Sequence, residues 1–200
     1  LQEQDVLVLN DVKVIKAKFE ATIARNSANI EFNLDRQLID QDIEKYHLAT
    51  NDGDKVFWFA IFKGAKKVKD GDLILVGDDE ILLEKKLDNG FVIISCNANR
   101  FDEVVAKYGS TPIPPYIKRE RGANKDDDEL YQTVYAKSGS AVAAPTAGLH
   151  FTDDIIGRIK AKGVNVVYIT LNVGAGTFLP VRSQNIKDHK MHNEYFEISG

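Results

Sequence analysis

The sequence predicts an α/β protein with βαβ units, in a parallel or mixed sheet, and a small antiparallel β-barrel inserted into it. Three observations carry this. From Lys13 to about Ile94 the chain breaks into short alternating or apolar segments punctuated by Asp52-Gly53, Asp70-Gly71, Gly77-Asp78 and Asn89-Gly90, as hairpins of a small barrel do. Thr111-Pro112-Ile113-Pro114-Pro115-Tyr116 then forces an extended crossing, because proline disfavours helix at itself and at its predecessor. From Ser140 the period changes to strand, helix, strand. The expected domains are residues 1–12 with 112–200, an α/β layer incomplete at both ends, and residues 13–111, the inserted barrel.

In order along the chain, Val6-Leu7-Val8-Leu9 is a continuous apolar run ended by Asn10-Asp11, expected as a strand buried on both faces. The barrel strands are expected over Val14 to Ile23, Asn29 to Leu34, Val56 to Phe62, Leu73 to Val76, Glu80 to Leu83 and Phe91 to Ile94. Arg100 to Tyr108 carries Phe101, Val104, Val105 and Tyr108 at helical spacing and stops at Gly109. Lys118 to Glu129 reads as a charged surface loop with a solvated acidic half. Ser140 to Ala144 is a small-residue strand; Thr152, followed by Asp153 and Asp154, caps a helix that Gly163 ends; Val164 to Val173 is a long buried strand. The two strands of this βαβ unit are expected to be parallel with a right-handed crossover, so that Pro145 to Phe151 and Gly174 to Pro180 leave one sheet edge, where open α/β sheets bind ligands.

At 200 residues, 44% hydrophobic and 28% charged, the chain has enough apolar surface for one large or two small cores. It has neither an apolar run near the ~20 residues of a membrane span nor the order of a signal peptide. A single Cys96 leaves no internal disulfide, so a cytoplasmic location is expected. A net charge of -4 weighs against nucleic acid for the chain as a whole but allows local basic patches. Leu1 in place of a methionine, and an end at Gly200 just after strand-like Tyr195 to Ile198, suggest a piece of a longer protein.

Chemistry is expected between Tyr131 and Glu194, where His150, His189 and His192, two glycine turns and Pro145 and Pro180 crowd between apolar strands. Gly174-Ala175-Gly176 lacks the third glycine of a dinucleotide fingerprint, Leu179 standing there, which weighs against nicotinamide or flavin; a turn that lets backbone approach a ligand remains. His189-x-x-His192-x-Glu194 offers imidazole and carboxylate ligands, but without the spacing of a zinc helix motif or any cysteine, and no metal is expected. Read as a strand, it sends Lys190, His192 and Glu194 to one face as a neighbouring base and acid. Lys63, Lys66, Lys67 and Lys69 form a basic cluster on the barrel, and Lys118, Arg119 and Arg121 a second; both read as solvated surface or as phosphate contacts.

The motifs resemble those of the S-adenosylmethionine:tRNA ribosyltransferase-isomerases of queuosine biosynthesis. The blocks are Leu7-Val8-Leu9-Asn10-Asp11, Pro112 to Ile117, Tyr131-Gln132-Thr133-Val134-Tyr135-Ala136, Val142 to Thr152, Val173 to Phe178 and His189-x-Met191-His192-x-Glu194, in the family's order. Residues 20 to 110 match mostly in pattern. Family members continue past both ends, so the chain resembles a middle segment. Asn172 stands where the family usually has histidine and Lys13 where it usually has arginine; asparagine keeps a hydrogen bond but is no base at neutral pH.

The resemblance implies S-adenosylmethionine as ribosyl donor rather than methyl donor and no bound cofactor. Its ribosyl group moves to the 7-aminomethyl group of a deazaguanine at the tRNA wobble position and is isomerised to an epoxycyclopentane, releasing adenine and methionine. A neutral-range histidine serves either proton transfer and carboxylates steady a sulfonium, so His150, His192 and Glu194, with His189 behind them, are the catalytic candidates. Asn10, Asp11, Tyr131, Gln132, Pro145, Thr146, Gly148, Gly174, Gly176 and Thr177 are the candidates for substrate binding, and the four barrel lysines for tRNA. A monomer is expected. Two other classes stay open: a metal-dependent hydrolase using His150, His189, His192 and Glu194, and a non-catalytic RNA-binding barrel.

Overall fold

The computed structural model describes residues 1–50, 54–88, 90–114, 117, 125–178, 183, 185–188, 191 and 193–198. The strands are β1 (Val6–Asn10), β2 (Val12–Val14), β3 (Lys18–Ile23), β4 (Ala28–Gln37), β5 (Lys55–Lys63), β6 (Leu73–Val76), β7 (Asp79–Lys86), β8 (Phe91–Asn97), β9 (Ser138–Ala141), β10 (Asn165–Asn172) and β11 (Tyr195–Glu197). The helices are α1 (Asp40–Tyr46), α2 (Ala98–Tyr108), α3 (Lys125–Leu130) and α4 (Asp153–Ala161). The chain divides into two compact units, Lys16–Pro112 and Leu1–Ile15 with Ile113–Gly200.

In the first unit, six antiparallel strands close a barrel in the order β3-β4-β5-β8-β7-β6. Side chains alternate across each strand, so Phe19, Phe32 and Phe62, opposite one another in register, point inward and stack with centroids 5.0 and 4.8 Å apart. Ile23, Ile74, Ile81, Leu83, Val92 and Ile94 complete a packed interior. The opposite face of β5 is also buried: Phe57 and Phe59 join Leu38, Phe91 and Ile93 beneath Ile43 and Tyr46 of α1. That helix lies outside the expected elements. It is seven residues long, started by the Ile39 amide donating to the Asp42 carboxylate at 3.2 Å.

Helix α2 begins at Asn97, whose side-chain oxygen accepts from the Asn99 amide at 2.9 Å, and Phe101 stacks on Trp58 at 4.9 Å. Gly109 ends it with φ -71, not in the left-handed region. Space is the reason for glycine here, since a Cβ would meet the Lys16 carbonyl and the Val105 carbonyl at 2.1 and 2.5 Å. Just beyond, Lys18 and Ser110 exchange backbone hydrogen bonds of 3.0 and 2.8 Å, tying the strand that enters the barrel to the segment that leaves it.

In the second unit β1 runs parallel to β10, β11 adds antiparallel to β10, and β2 runs parallel to β9. The N-terminal strand changes partner at Asp11, whose amide donates to the Ile169 carbonyl while its own carbonyl accepts from the Lys137 and Ser138 amides. The strands of the expected βαβ unit are therefore each laddered with consecutive parts of the N-terminal strand, not with each other. Helix α4 begins at Thr152, whose hydroxyl accepts from the Ile155 amide at 3.2 Å, and is followed by Gly163 at φ +78.

Three expectations are corrected here. Strand β10, read as a long buried strand, has no buried residue between Asn165 and Asn172. Strand β1 is buried on one face only: Leu9 is 6% exposed, but Val6 and Val8 are 59% and 53% exposed. Residues 125–129, read as part of a loop, fall in α3, whose acidic first turn suits a helix N-terminus, and Asp127 faces inward at 3% exposure rather than solvent. Lys118, Arg119 and Arg121 lie outside the described residues.

Candidate functional site

The ends of β9 and β10 are joined at one atom. The Val173 carbonyl accepts from the amides of Val142 and Ala143 at 2.8 and 3.3 Å, so the segments that follow the two strands begin side by side. Each then coils into a short 3-10 turn, Thr146–His150 and Ala175–Phe178. The Pro145 carbonyl closes the first by accepting from the Gly148 amide at 2.7 Å, and Gly174 closes the second by accepting from Thr177 at 3.3 Å. Thr146, His150 and Thr177 are exposed; Gly148, Ala175 and Gly176 are buried.

Several predicted substrate-binding residues are held by the fold through their polar atoms. The Asn10 side-chain amide donates to the Leu171 carbonyl and accepts from the Leu171 amide, both at 3.0 Å. Gln132 does the same for β2, donating to the Val14 carbonyl at 2.7 Å and accepting from its amide at 3.0 Å. Asp11 accepts from the Thr170 hydroxyl at 2.7 Å. Asn172 accepts from the Ser140 amide at 2.8 Å, a brace between β10 and β9 that needs an acceptor and no base. These side chains replace ladder rungs where the N-terminal strand switches partner. Tyr131 packs into a cluster with Val14, Ala144 and Leu149.

Gly148 is crowded by protein: a Cβ there would lie 2.3 Å from the Tyr135 hydroxyl and 2.9 Å from Thr133 Cγ2. Three aromatic residues that sequence reasoning left out of the site stand at this point. Tyr135 lies 6.5 Å from Phe151, edge-on, and 5.8 Å from Tyr168, with ring centroids as reference. Burial, then the neighbouring Tyr168, raises the Tyr135 phenol above its usual pKa. The motif blocks contained Tyr135 and Phe151, but nothing in their spacing separated them from core aromatics.

Glu194 is exposed, one residue before β11, while His189 and His192, with Lys190 and Pro180, lie outside the described residues. Among the described residues no three of His, Cys, Asp or Glu stand close enough to share a metal ion, and no helix is long and apolar enough to cross a membrane.

On the barrel, Lys63 reaches Glu31 at 3.7 Å and Lys67 donates to the Asn29 carbonyl at 3.4 Å. Both line a surface concavity of about 630 Å³ that Glu20 and Glu31 share, so their charge there is offset. Lys66 and Lys69 are exposed. The Lys69 backbone is fixed by its amide donating to Asp72 at 2.8 Å, and the hydrogen bond from Arg25 holds that buried carboxyl below its ordinary pKa.

The chain thus combines a closed barrel, inserted in the sequence, with a mixed α/β layer whose strands β9 and β10 run on into neighbouring 3-10 turns. The family described as queuosine biosynthesis protein matches residues 1–200, and the chain belongs to it. It is 46% identical over its whole length to the S-adenosylmethionine:tRNA ribosyltransferase-isomerase of Rickettsia bellii, of which it covers 55%. It is 40% identical to the Staphylococcus saprophyticus protein of the same name, with 99% of this chain and 53% of that one covered. A crystal structure of the S-adenosylmethionine tRNA ribosyltransferase of Thermotoga maritima is similar over 86% of this chain and 42% of that one, at 23% identity and a TM-score of 0.34. The chain thus spans about half the length of the curated relatives it matches.

Proposed function

We propose that the protein acts in queuosine biosynthesis as a ribosyltransferase-isomerase, moving the ribosyl group of S-adenosylmethionine onto 7-aminomethyl-7-deazaguanine in tRNA and releasing adenine and methionine. The family match over residues 1–200 supports the class. The observation that supports the placement is the Val173 carbonyl bonded to the Val142 and Ala143 amides, which sets the segments running on from β9 and β10 into the two 3-10 turns side by side. There His150, Thr146 and Thr177 are exposed to a ligand, and His192, His189 and Glu194 belong to the segment that leads into β11. In this reading a histidine removes the proton beside the sulfonium and a second group protonates the departing adenine. The protein works in the cytoplasm, as a monomer, on tRNA. Adenine release from S-adenosylmethionine by the full-length protein with precursor-bearing tRNA is the test. RNA binding with no adenine formed would defeat the reading.

The barrel contributes the tRNA contact through Lys66 and Lys69, which are exposed and are not among the residues lining the concavity with Glu20 and Glu31. Reversing both to glutamate is expected to lower the slope of log affinity against log salt by about two units, one per phosphate contact, and to leave S-adenosylmethionine affinity unchanged. An unaltered slope in a salt titration removes this cluster from the interface.

A further inference from the structure

The aromatic group beside the Thr146–His150 turn has no part in the barrel or in the Val14, Tyr131, Ala144 cluster. Tyr135, Phe151 and Tyr168 all remain partly exposed. Thr133, which packs with Tyr135 against Gly148, is 5% exposed, and its hydroxyl has no hydrogen-bond partner among the described residues. A buried hydroxyl left unpaired costs about 1–3 kcal/mol, which a bound group with a polar edge removes. Gly148 seats the turn that carries exposed His150 directly on Thr133 and Tyr135. Flat π-faces with one buried polar atom suit a heteroaromatic ring.

We propose that Tyr135, Phe151 and Tyr168 form a subsite for a purine-type ring, with Thr133 Oγ1 hydrogen-bonding its edge; this deepens the proposed function and rests on it. The ring is either the adenine of S-adenosylmethionine or the deazaguanine of the tRNA. In the full-length protein, Tyr135→Leu is expected to weaken one of these two ligands at least tenfold, measured by dialysis of S-adenosylmethionine and filter binding of precursor tRNA, while Tyr135→Phe keeps binding within about threefold. Loss of S-adenosylmethionine assigns the ring to adenine, and loss of tRNA to the deazaguanine.

Thr133→Val separates a ligand contact from a structural one. It removes an unpaired hydroxyl, so the melting temperature is expected to hold or rise while affinity for the same ligand falls about threefold to tenfold. Unchanged affinities in both Tyr135→Leu and Thr133→Val, with the protein folded, overturn the subsite. If the wild-type protein binds neither S-adenosylmethionine nor tRNA, the proposed function fails. Adenosine alone then decides the subsite: binding lost in Tyr135→Leu upholds it, and equal or absent binding overturns it.

Discussion

Gly148→Val is expected to lower adenine release by the full-length protein at least 100-fold, together with a fall in melting temperature. The β-carbon alone would sit 2.3 Å from the Tyr135 hydroxyl and 2.9 Å from Thr133 Cγ2, distances that side chains do not tolerate. Gly148 is also fixed by its own amide, which donates to Pro145 at 2.7 Å, so the turn cannot slide aside without losing its closing hydrogen bond. Either the Tyr135 ring swings aside or the 3-10 turn that carries Thr146 and His150 lifts, and a displacement of about 1 Å in a positioning element is enough to cost a factor of about 100 in rate. Removing the nearest obstacle tests the cause: Gly148→Ala combined with Tyr135→Phe is expected to recover part of what Gly148→Ala loses. Gly157 in α4 is the control, because a Cβ there meets nothing within 4 Å. Gly157→Ala is expected to stabilise by about 0.4–1 kcal/mol, through a less flexible unfolded chain and better helix propensity, without touching turnover. Wild-type melting and turnover in Gly148→Val would show that the turn is not seated as described.

Phe32→Ala is expected to cost about 3–5 kcal/mol in chemical denaturation. Phe32 is 1% exposed and stacks on Phe19 at one side and Phe62 at the other, so truncation opens a hole between two large rings that a closed ladder of six strands cannot collapse to fill. A loss below about 1 kcal/mol would mean that the three rings do not form the packed centre of the barrel.

Much of the fold was legible because it rests on local signals. Gly77 and Gly90 adopt positive φ at turns between the paired strands β6 and β7 and β7 and β8, Gly71 does so at a turn between β5 and β6, which do not pair, Asp52-Gly53 lies outside the described residues, and Thr152 and Gly163 bracket α4. Helix α1 escaped because seven residues give too little periodicity, and its apolar Ile43 and Tyr46 reveal their role only against β5 and β8. Helix α3 escaped because a run of aspartates reads as solvated charge until a helix turns Asp127 inward. Strand β1 misled because a continuous apolar run does not say how many of its faces a neighbouring layer covers. At the site, Asn10 and Gln132 were assigned to a ligand, yet a carboxamide is equally satisfied by a peptide group, and each pairs with the backbone of one strand residue. Tyr131, expected at the site, packs with Val14, Ala144 and Leu149, while Tyr135 packs on Phe151 and Tyr168, a division that only the tertiary packing holds.

The pairing of β1 with β10 sets an order of events during synthesis. Val6 has its partner at Asn165 and Asn10 at Ile169, so β1, made before the barrel, waits through the making of the whole barrel before its ladder exists. The barrel needs no such delay, since its six strands and the clasp between Lys18 and Ser110 are complete once residue 110 has emerged. An apolar stretch, Val6-Leu7-Val8-Leu9, is thus held unpaired beside a finished neighbour for the length of that interval, the condition under which nascent chains recruit chaperones or find one another. Nonlocal closure of the α/β layer is the late step, so Val6 to Leu9 stay without their ladder until Asn165 to Ile169 have emerged.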